Sequence, residues 1–430
     1  MSIAGIICEY NPFHNGHAYQ IRHLKEDLGM DAVVCAMSGN FLQRGEPALL
    51  HKSDRTQMAL AAGADLILEL PALFATRSAY WFALGGVSLL ANTGIVTHLA
   101  FGAETYDLTA LQNTAQLLAK PTADFQQNLR NQLDKGLSFV KAQALALDSS
   151  LNQSQKTQIY VPSLPNDRLA LSYLQILAET GWSLKPILIQ RQGDAYHQAT
   201  PSGQTAFASA KAIRRQLDQS TDPHQTLSAL EAYLPPESHA IIKKILQPNS
   251  DTLDKTQIHS QRLVFTKDLE QVLLHILRRA TCSDIKSLPD ISEGLEHRIY
   301  QSARQAVNLD QFYQQLKTKR YSLTRLQRAV LHLYLNYTSD LAAEISAGCP
   351  YIRILGFNRK GQALLKQIKH QGNRMLIARS GQLKRLSYQD SSSRNAWELE
   401  VRSGDLYALL QGSKSEGSPE HQLAPLYWPH

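Results

Sequence analysis

Cysteine is scarce in this chain of 430 residues, which contains only four. These are Cys8, Cys35, Cys282 and Cys349. Because they are isolated along the sequence, they offer no close pair for metal ligation and no disulfide framework. The scarcity therefore excludes a small disulfide-stabilised scaffold and a cysteine-based metal site as the organising feature of the protein.

Long hydrophobic runs are missing as well. Glu69, Pro71 and Arg77 interrupt the most apolar stretch before it reaches the roughly 18 uninterrupted apolar residues of a membrane-spanning helix. From Met1 the chain runs directly into an apolar, strand-like segment, without the basic region and cleavage site of a signal peptide. We therefore predict a cytoplasmic protein with no membrane partner.

The composition, with 43% hydrophobic and 19% charged residues, is that of a globular protein with room for two or three domains. The net charge of +7 is concentrated in residues 301–400, which carry 16 lysines and arginines against 6 acidic residues. Such a block predicts a polyanionic partner, because neutralising phosphates releases counterions. A solvated helical surface that is merely basic explains the charge equally well.

Short apolar runs in the first hundred residues predict buried strands, because the runs do not alternate with polar residues. They cover residues 3–8, 32–37, 66–70 and 97–101. Helical patterns begin near Gly16, Lys52 and Thr76, and this order of strand and helix predicts a doubly wound parallel sheet. Ligands of such sheets lie beyond the carboxyl ends of the strands, so the loops after these strands should line the site.

The later chain is predicted to be mainly helical. A second strand-and-helix unit covers about residues 166–214, and helical periods continue to residue 337. A smaller α+β tail follows, with a strand near residues 351–355. We predict an α/β protein in which residues 1–220 form a Rossmann-like domain and residues 221–430 a mainly helical, basic region.

The strongest local signal is EYNPFHNGH at residues 9–17, directly after the first predicted strand. A lone histidine is more often structural, but His14 and His17 flank Asn15 and Gly16 at the entrance of a helix. Imidazole donors and backbone N–H groups there stabilise the charge that grows on ATP phosphates under attack. Gly16 lets the backbone approach closely. The pattern resembles the HIGH-type nucleotidyltransferases, and the alternative phosphate loops GxxxxGK[ST] and GxGxxG are absent.

A second signal is the loop SGNFLQRGEP at residues 38–47, which follows the second predicted strand. Its polar side chains and two glycines suit a loop that closes over a small ligand. Gln43 and Arg44 can contact a carboxylate or a phosphate. A plain surface turn is the alternative, but the loop lies on the same sheet edge as the histidine motif, which favours a ligand role.

Later signals are weaker. Gly102 follows the fourth predicted strand, where a missing side chain admits a nucleotide or simply forms a turn. Asn166 starts a helix and would also serve as an ordinary N-cap, and Arg191 ends a later strand. The segment SAKAIR at residues 209–214 offers a hydroxyl, a helix start and two cations, which suits a phosphate clamp as well as a capped amphipathic helix.

Together these segments resemble the bacterial tRNA(Met) cytidine acetate ligase family over nearly the whole chain. The most specific matches are residues 6–17, 38–47 and 101–104, followed by Arg191 with residues 196–197, and residues 209–214 and 319–326. The family implies a HUP-type nucleotidyltransferase domain in which ATP and acetate form acetyl-adenylate. The wobble cytidine of elongator tRNA(Met) then takes the acetyl group to give N4-acetylcytidine. Mg²⁺ is expected to bridge the ATP phosphates, with Glu9 and Glu104 as candidate ligands and neither assigned.

The resemblance also implies roles by position. ATP is expected on Ile7, Cys8, Glu9, Tyr10, Asn11, Pro12, Phe13, His14, Asn15, Gly16, His17, Ala18, Tyr19, Gln20, Gly102, Asn166 and Arg191. Catalysis is expected from His14 and His17 on the α-phosphate, and from Ser209, Lys211 and Arg214 on the leaving pyrophosphate. Acetate or tRNA is expected on Gln43, Arg44, Arg320, Arg325, Arg328, Arg353, Arg359 and Lys360. Two positions depart from the usual pattern, namely His51 before Lys52 and Ala170 after Asn166.

Two other functions stay open at this point. A small-molecule adenylyltransferase of coenzyme biosynthesis would use the same histidines, although such enzymes are often shorter and need no basic helical extension. A catalytically inert RNA-binding protein would use the basic block alone. The first would keep AMP in a stable product, and the second would have no dependence on the histidines.

Overall fold

The structure is a computed structural model. It describes residues 1–153, 158–190, 207–247, 259–292, 294–318, 320–344, 347–382, 391–412 and 418–429. Within these ranges, no helix has both the length and the apolar character needed to cross a membrane.

A single mixed sheet organises the fold. Its strands are β1 (Ile3–Cys8), β2 (Ala32–Ser38), β3 (Leu66–Leu70), β4 (His98–Ala103), β5 (Lys185–Gln190), β6 (Ile352–Asn358), β7 (Leu376–Ile377) and β8 (Leu426–Trp428). Their spatial order is β5-β4-β1-β2-β3-β6-β7, with β8 pairing with β6. Strands β1 to β5 are mutually parallel, and β6 runs antiparallel to β3.

Helices cover both faces of this sheet. Those of the first half are α1 (Asn15–Arg22), α2 (Lys52–Ala61), α3 (Ala72–Ala75), α4 (Ala79–Asn92), α5 (Leu108–Ala119), α6 (Ala123–Asp134), α7 (Phe139–Gln153), α8 (Pro165–Thr180) and α9 (Ala210–Gln219). Those that follow are α10 (Pro223–Ala229), α11 (Pro236–Leu246), α12 (Glu270–Arg279), α13 (Cys282–Lys286), α14 (Leu295–Gln305), α15 (Leu309–Leu316), α16 (Leu323–Leu335), α17 (Ser339–Ala343), α18 (Arg359–Gln371), α19 (Ser391–Leu410) and α20 (Pro419–Gln422). The predicted doubly wound α/β fold class is confirmed.

Strand β2 explains why the sheet is covered on both sides. All seven of its residues are buried, and successive side chains of a strand point to opposite faces. Val34 and Ala36 belong to an apolar cluster with α3, α4, α5, α8 and the later helices. Val33 and Cys35 belong to a second cluster with α1, α2, α9, α10 and α11. A strand with a continuous apolar run thus indicates a sheet covered by helices on both faces, as predicted.

Strand order creates a switch point between β1 and β4. From β1 the chain moves outward through β2 and β3, then returns to place β4 on the other side of β1, with β5 beyond it. The loops that leave β1 and β4 therefore diverge and open a crevice at the carboxyl ends of these two strands. This crevice is where the fold positions a ligand.

The predicted α+β tail joins the sheet of the first half of the chain. Strand β6 pairs with β3, with Glu69 opposite Arg353 and Leu66 opposite Phe357, so residues 352–358 extend the sheet of the first half. One apolar cluster includes buried side chains from both parts of the chain, among them Val34 and Leu399. The division into residues 1–220 and 221–430 stays a prediction, and the sheet itself spans both.

Buried charges hold this added strand in place. Lys52 Nζ lies 2.7 Å from a Glu420 oxygen and 3.4 Å from a Glu400 oxygen, and it also contacts Glu69. Arg353 pairs with Glu69 at 2.6 Å and with Glu420. These five side chains, which we call the ion cluster, join α2, β3, β6, α19 and α20. Each is at most 5% exposed, so each charge depends on its partners rather than on water.

The ion cluster contains three carboxylates and two cations. Burial and the neighbouring Glu69 raise the pKa of Glu400 to about 8. Burial also opposes ionisation of Glu420, but Lys52 and Arg353 outweigh it and lower the pKa of Glu420 to about 2. Glu400 is therefore the carboxyl group that holds a proton near neutral pH, which balances the cluster.

We expect Arg353→Gln to lower the free energy of unfolding by about 3 to 5 kcal/mol, because it removes one of the two cations that balance the buried carboxylates. Arg359→Gln, at an exposed position on α18, is the matched control and should change stability by less than about 0.5 kcal/mol. Urea denaturation of both variants measures the difference. Equal stabilities for the two variants would contradict the structural role of the ion cluster.

A pH dependence follows from Glu400. Its pKa is raised on folding, so its contribution to stability is complete below its unfolded pKa near 4.5 and is lost as pH rises to about 8. We expect Glu400→Gln to remove part of the fall in unfolding free energy between pH 6.5 and 8.5. Glu398→Gln, on the exposed side of the same helix, should keep the wild-type slope. A wild-type slope in the Glu400 variant would refute this assignment.

Candidate active site

A cavity of about 330 Å³ opens at the switch point, beyond the carboxyl ends of β1 and β4. Most of the predicted ATP residues line it. These are Ile7, Cys8, Glu9, Tyr10, Asn11, His14, Gly16, His17, Tyr19, Gln20, Gly102 and Asn166. Gln43, Arg44, Ser209 and Arg214 line it as well. The structure thus brings together segments from the beginning of the chain and from residues 209–214.

The two histidines of the motif are fixed at the start of α1 by backbone hydrogen bonds. His14 is the N-cap residue, and its Nδ1 accepts from Gly16 N–H at 3.1 Å. The Nδ1 of His17 accepts from His14 N–H at 3.3 Å. A backbone N–H can only donate, so each neutral ring carries its proton on Nε2. Both rings therefore offer Nε2 as a hydrogen-bond donor.

Ring packing holds this pair rigid. The His14 and His17 rings stack with centroids 3.7 Å apart and planes 20° apart. Tyr10 and Phe13 are buried, and their rings contact His17 with centroids at 4.8 and 5.4 Å. A Cβ at Gly16 would lie 2.9 Å from the His14 ring, so glycine is needed here to leave room for that imidazole. From the sequence we expected Gly16 to leave room for a phosphate. In the structure, the absence of a side chain at Gly16 leaves room for the His14 ring.

Three helices begin at the cavity wall. Helix α1 begins after His14, α8 begins at Pro165, and α9 begins after Ser209, whose hydroxyl accepts from Ala212 N–H. Residues from each of these starts line the cavity. The N-terminus of a helix carries a partial positive charge and unpaired N–H groups, so the cavity is suited to a polyanion.

The start of α8 is built from paired carboxylates and amides. Asn166 donates its side-chain amide to Glu104, whose other oxygen accepts from Asp167 N–H at 2.9 Å. Asp167 in turn accepts from the backbone N–H groups of Glu104 and Thr105 at 2.8 and 3.0 Å. These bonds hold the end of β4, including Gly102, beside α8. Asn166 thus faces the cavity as part of this network and is not a simple N-cap.

The loop at residues 38–47 forms another wall of the cavity, to which it contributes Gln43 and Arg44. Its Gln43 N–H donates to Glu9 at 2.8 Å, and Arg214 donates to Asn11 O at 2.7 Å and to Glu46 at 2.8 Å. Burial raises the pKa of Glu9, against the lowering effect of the bond from Gln43. Arg214 thus connects the histidine motif with this loop across the cavity.

Arg55 is a functional neighbour that the sequence analysis missed. It is fully buried and donates to Leu50 O at 3.1 Å, Glu9 O at 2.6 Å and Ser38 O at 3.0 Å, as well as to Gly39 O. One guanidinium therefore ties together the ends of β1 and β2. The sequence KSDR at residues 52–55 could have indicated this burial. It places three charged residues in one turn of a helix that packs against a sheet, so at least one of them must face the protein interior.

Some predicted residues are placed elsewhere. Pro12, Phe13, Asn15 and Ala18 do not line the cavity, and Asn15 instead donates to Ala232 O at 2.9 Å. Lys211 is exposed in the first turn of α9, outside the cavity lining. Arg191 lies outside the described residues. Only part of the predicted ATP run therefore lines the cavity, and its contact with ATP stays a prediction.

The predicted RNA-binding residues fall into three groups. Arg325 and Arg328 lie on α16 near Arg44, and Arg320 is exposed just before that helix. Arg353 is buried in the ion cluster, so its predicted contact with RNA is wrong. Two further residues are exposed at the start of α18, where β6 ends beside the beginning of β3. These two, Arg359 and Lys360, lie at the sheet edge opposite the cavity.

No preformed metal centre is present among the described residues, in which no three histidine, cysteine or acidic side chains are grouped for a metal ion. Both oxygens of Glu104 accept hydrogen bonds at the start of α8. Glu9 accepts from Gln43. The described side chains thus do not fit the expected Mg²⁺ as a protein-held ion.

Comparison with known proteins agrees with this geometry. A family model described as HIGH Nucleotidyl Transferase matches residues 1–422. The tRNA(Met) cytidine acetate ligase of Syntrophomonas wolfei is 36% identical over 95% of this chain and 95% of its own. The enzyme of the same name from Alkaliphilus metalliredigens is 35% identical over 99% of each chain. The chain belongs to the tRNA(Met) cytidine acetate ligase family.

Solved structures of this family are similar throughout. The crystal structure of Thermotoga maritima TmcAL bound with alpha-thio ATP is 28% identical, covers 100% of both chains and gives a TM-score of 0.89. The apo form of that protein gives 0.91 at the same identity and coverage. The resemblance predicted from the sequence is therefore confirmed, together with the fold class and the enzyme family.

Gly16→Ala tests the construction of the histidine pair. The added methyl would lie within 3 Å of the His14 ring and displace it, so we expect affinity for an unreactive ATP analogue to fall about 10-fold. Titration calorimetry measures the affinity. Gly381→Ala, where a Cβ meets open space, is the control and should bind as the wild type does. Unchanged affinity in the Gly16 variant would contradict the proposed geometry.

Proposed function

We propose that this protein is a tRNA(Met) cytidine acetate ligase that activates acetate with ATP and acetylates N4 of the wobble cytidine of elongator tRNA(Met). The observation that carries the proposal is the pair of Nε2 donors on His14 and His17, held at the start of α1 inside the switch-point cavity. Family membership supports an ATP-dependent ligase that modifies tRNA. Acetate, the adenylate intermediate and the particular tRNA belong to the proposal.

The first step is adenylation of acetate. A carboxylate oxygen of acetate attacks the α-phosphorus of ATP, and the bond from that phosphorus to the bridging oxygen breaks to release pyrophosphate. His14 and His17 donate from Nε2 to the α-phosphate oxygens, where negative charge grows in the transition state. Because neither ring needs to rotate or change tautomer, the donors are in place before the reaction begins.

Separate parts of the cavity would hold the two ends of ATP. Ser209, Lys211 and Arg214 are proposed to hold the pyrophosphate, since α9 begins here and two of the three residues line the cavity. Gly102 and Asn166 are proposed to contact the nucleoside at the start of α8. The alpha-thio ATP bound by the Thermotoga maritima relative supports ATP as the ligand of this chain.

The second step transfers the acetyl group. The N4 amine of cytidine attacks the carbonyl carbon of acetyl-adenylate, AMP leaves with the bridging oxygen, and the amine loses one proton. This step requires the base to be unstacked and placed beside the adenylate. An anticodon loop already exposes single-stranded bases, which lowers the cost of presenting one. The basic residues Arg44, Arg325 and Arg328 are proposed to contact the RNA near the cavity.

Mg²⁺ is expected to accompany ATP, but the side chains described at this site form no ligand set for it. The charge stabilisation that this chain itself supplies comes from the imidazoles, the helix starts and Arg214.

The decisive experiment is mass analysis of nucleosides from elongator tRNA(Met) incubated with the protein, ATP and ¹³C-labelled acetate. We expect labelled N4-acetylcytidine at the wobble position, and none without ATP. A stable product that retains AMP and forms independently of acetate would instead identify a small-molecule adenylyltransferase. RNA binding without any labelled product would identify an inert RNA-binding protein.

Variants of His17 separate its two nitrogens. In His17→Asn the side-chain oxygen can replace Nδ1 as acceptor, but the Nε2 donor is lost, so acetate-dependent exchange of pyrophosphate into ATP should fall at least ~10²-fold. In His17→Gln the amide can reach the Nε2 position, so a larger part of the rate should remain. Melting temperature and tRNA affinity, measured in parallel, should stay near wild type. An Asn variant as active as the wild type would refute the role of Nε2.

A further inference from the structure

Three arginines lie around Asp290 beside the cavity. Arg77 pairs with its carboxylate, Arg325 donates to its backbone carbonyl oxygen, and its negative charge favours the charged form of Arg328. Arg77 follows α3, Arg325 and Arg328 lie on α16, and Asp290 lies in the loop between α13 and α14. An ion pair joins Arg77 Nη2 to one Asp290 carboxylate oxygen at 3.8 Å, and the other carboxylate oxygen is buried without a hydrogen-bond partner. We call these four residues the arginine pocket.

The arginine pocket has surplus positive charge. Three guanidinium groups lie around one acidic residue, and Arg44 adds a further cation close to Arg328. Burial lowers the pKa of Arg328 to about 10, with Arg325, Arg77 and Arg44 also lowering it and only Asp290 acting in the opposite direction. The Nε atoms of Arg77 and Arg328 are buried and without hydrogen-bond partners. An added anion would relieve the repulsion among these cations.

The side chains are held in place without an anion. Arg77 is 5% exposed, lies over the Trp81 ring at 4.6 Å and donates to the Tyr337 hydroxyl at 3.3 Å. Arg325 lies over the Tyr321 ring at 4.9 Å and donates to Asp290 O at 2.6 Å through one nitrogen and at 3.1 Å through another. Ordering these long side chains therefore costs little when a ligand binds.

The arginine pocket adjoins the cavity on two sides. Gly45 packs so closely on α16 that a Cβ there would lie 2.6 Å from Arg328 N, and its neighbour Arg44 lines the cavity. Arg77 precedes α4 by two residues, and Ala79 at the start of that helix also lines the cavity. An anion in the arginine pocket thus lies beside the mouth of the cavity, outside the helix starts that face a triphosphate.

We propose that the arginine pocket binds a phosphodiester group of the RNA strand whose cytidine enters the cavity. This inference rests on the proposed function, because a polynucleotide carries a phosphate next to every base and so places one beside the mouth when a base is inserted. Guanidinium groups bind phosphate oxygens in pairs of hydrogen bonds, which suits arginine rather than lysine for this site. Asp290 then acts as the internal counter-charge that the phosphate outcompetes.

The test compares the arginine pocket with a matched basic position at the opposite sheet edge. Binding of elongator tRNA(Met) is measured from 50 to 300 mM KCl for Arg328→Gln, Asp290→Asn and Arg359→Gln. We expect Arg328→Gln to weaken binding about 10-fold and to reduce the slope of log K against log salt by about 0.7 to 0.9. Asp290→Asn should strengthen binding severalfold, an effect that damage to the fold would not produce.

Three outcomes would overturn the proposal. Equal losses in Arg328→Gln and Arg359→Gln would indicate a general basic surface, and weaker or unchanged binding in Asp290→Asn would remove the counter-charge role. If Arg328→Gln weakens binding of pyrophosphate but not of tRNA, the arginine pocket serves the leaving group. Acetate-dependent pyrophosphate exchange by the wild-type protein is measured separately, and its absence would contradict the proposed function without affecting the binding comparison.

Discussion

The proposed chemistry depends on two hydrogen bonds in which a backbone N–H group donates to a histidine Nδ1. One joins Gly16 to His14 and the other joins His14 to His17, so a single helix start determines the tautomer and direction of both rings. The close stacking of the rings leaves little freedom to either. Donors that are oriented before the substrate binds lose no energy to reorganisation during the reaction, which is the main source of electrostatic catalysis.

Contacts from other parts of the fold hold the start of α1 in place. Arg55 joins the ends of β1 and β2 through their carbonyl oxygens, and Arg214 links the histidine motif to the loop above it. The ion cluster brings the last strands of the chain against β3, next to Gly39, where a Cβ would lie 2.8 Å from Glu400. Distant parts of the chain therefore determine the shape of one small cavity.

Much of this arrangement could be predicted, because it is encoded locally. Strands β1 to β5 and the helices that separate them follow from apolar runs, and the histidine motif follows from its position after β1. The antiparallel pairing of β6 could not be predicted, since strand partners are chosen by long-range packing. For the same reason Arg353 was predicted to be a surface cation, although three buried carboxylates surround it. Arg359 was grouped with Arg325, although it follows β6 at the amino end of β3, away from the cavity.

The most direct test of the account is nitrogen NMR of the protein labelled with ¹⁵N-histidine, recorded with and without an unreactive ATP analogue. Couplings between ring protons and nitrogens identify the tautomer of each imidazole. We predict that His14 and His17 both carry the proton on Nε2, and that these two Nε2 signals shift when the analogue binds. A proton on Nδ1 of either ring, or Nε2 chemical shifts that do not change when the analogue is added, would contradict this prediction.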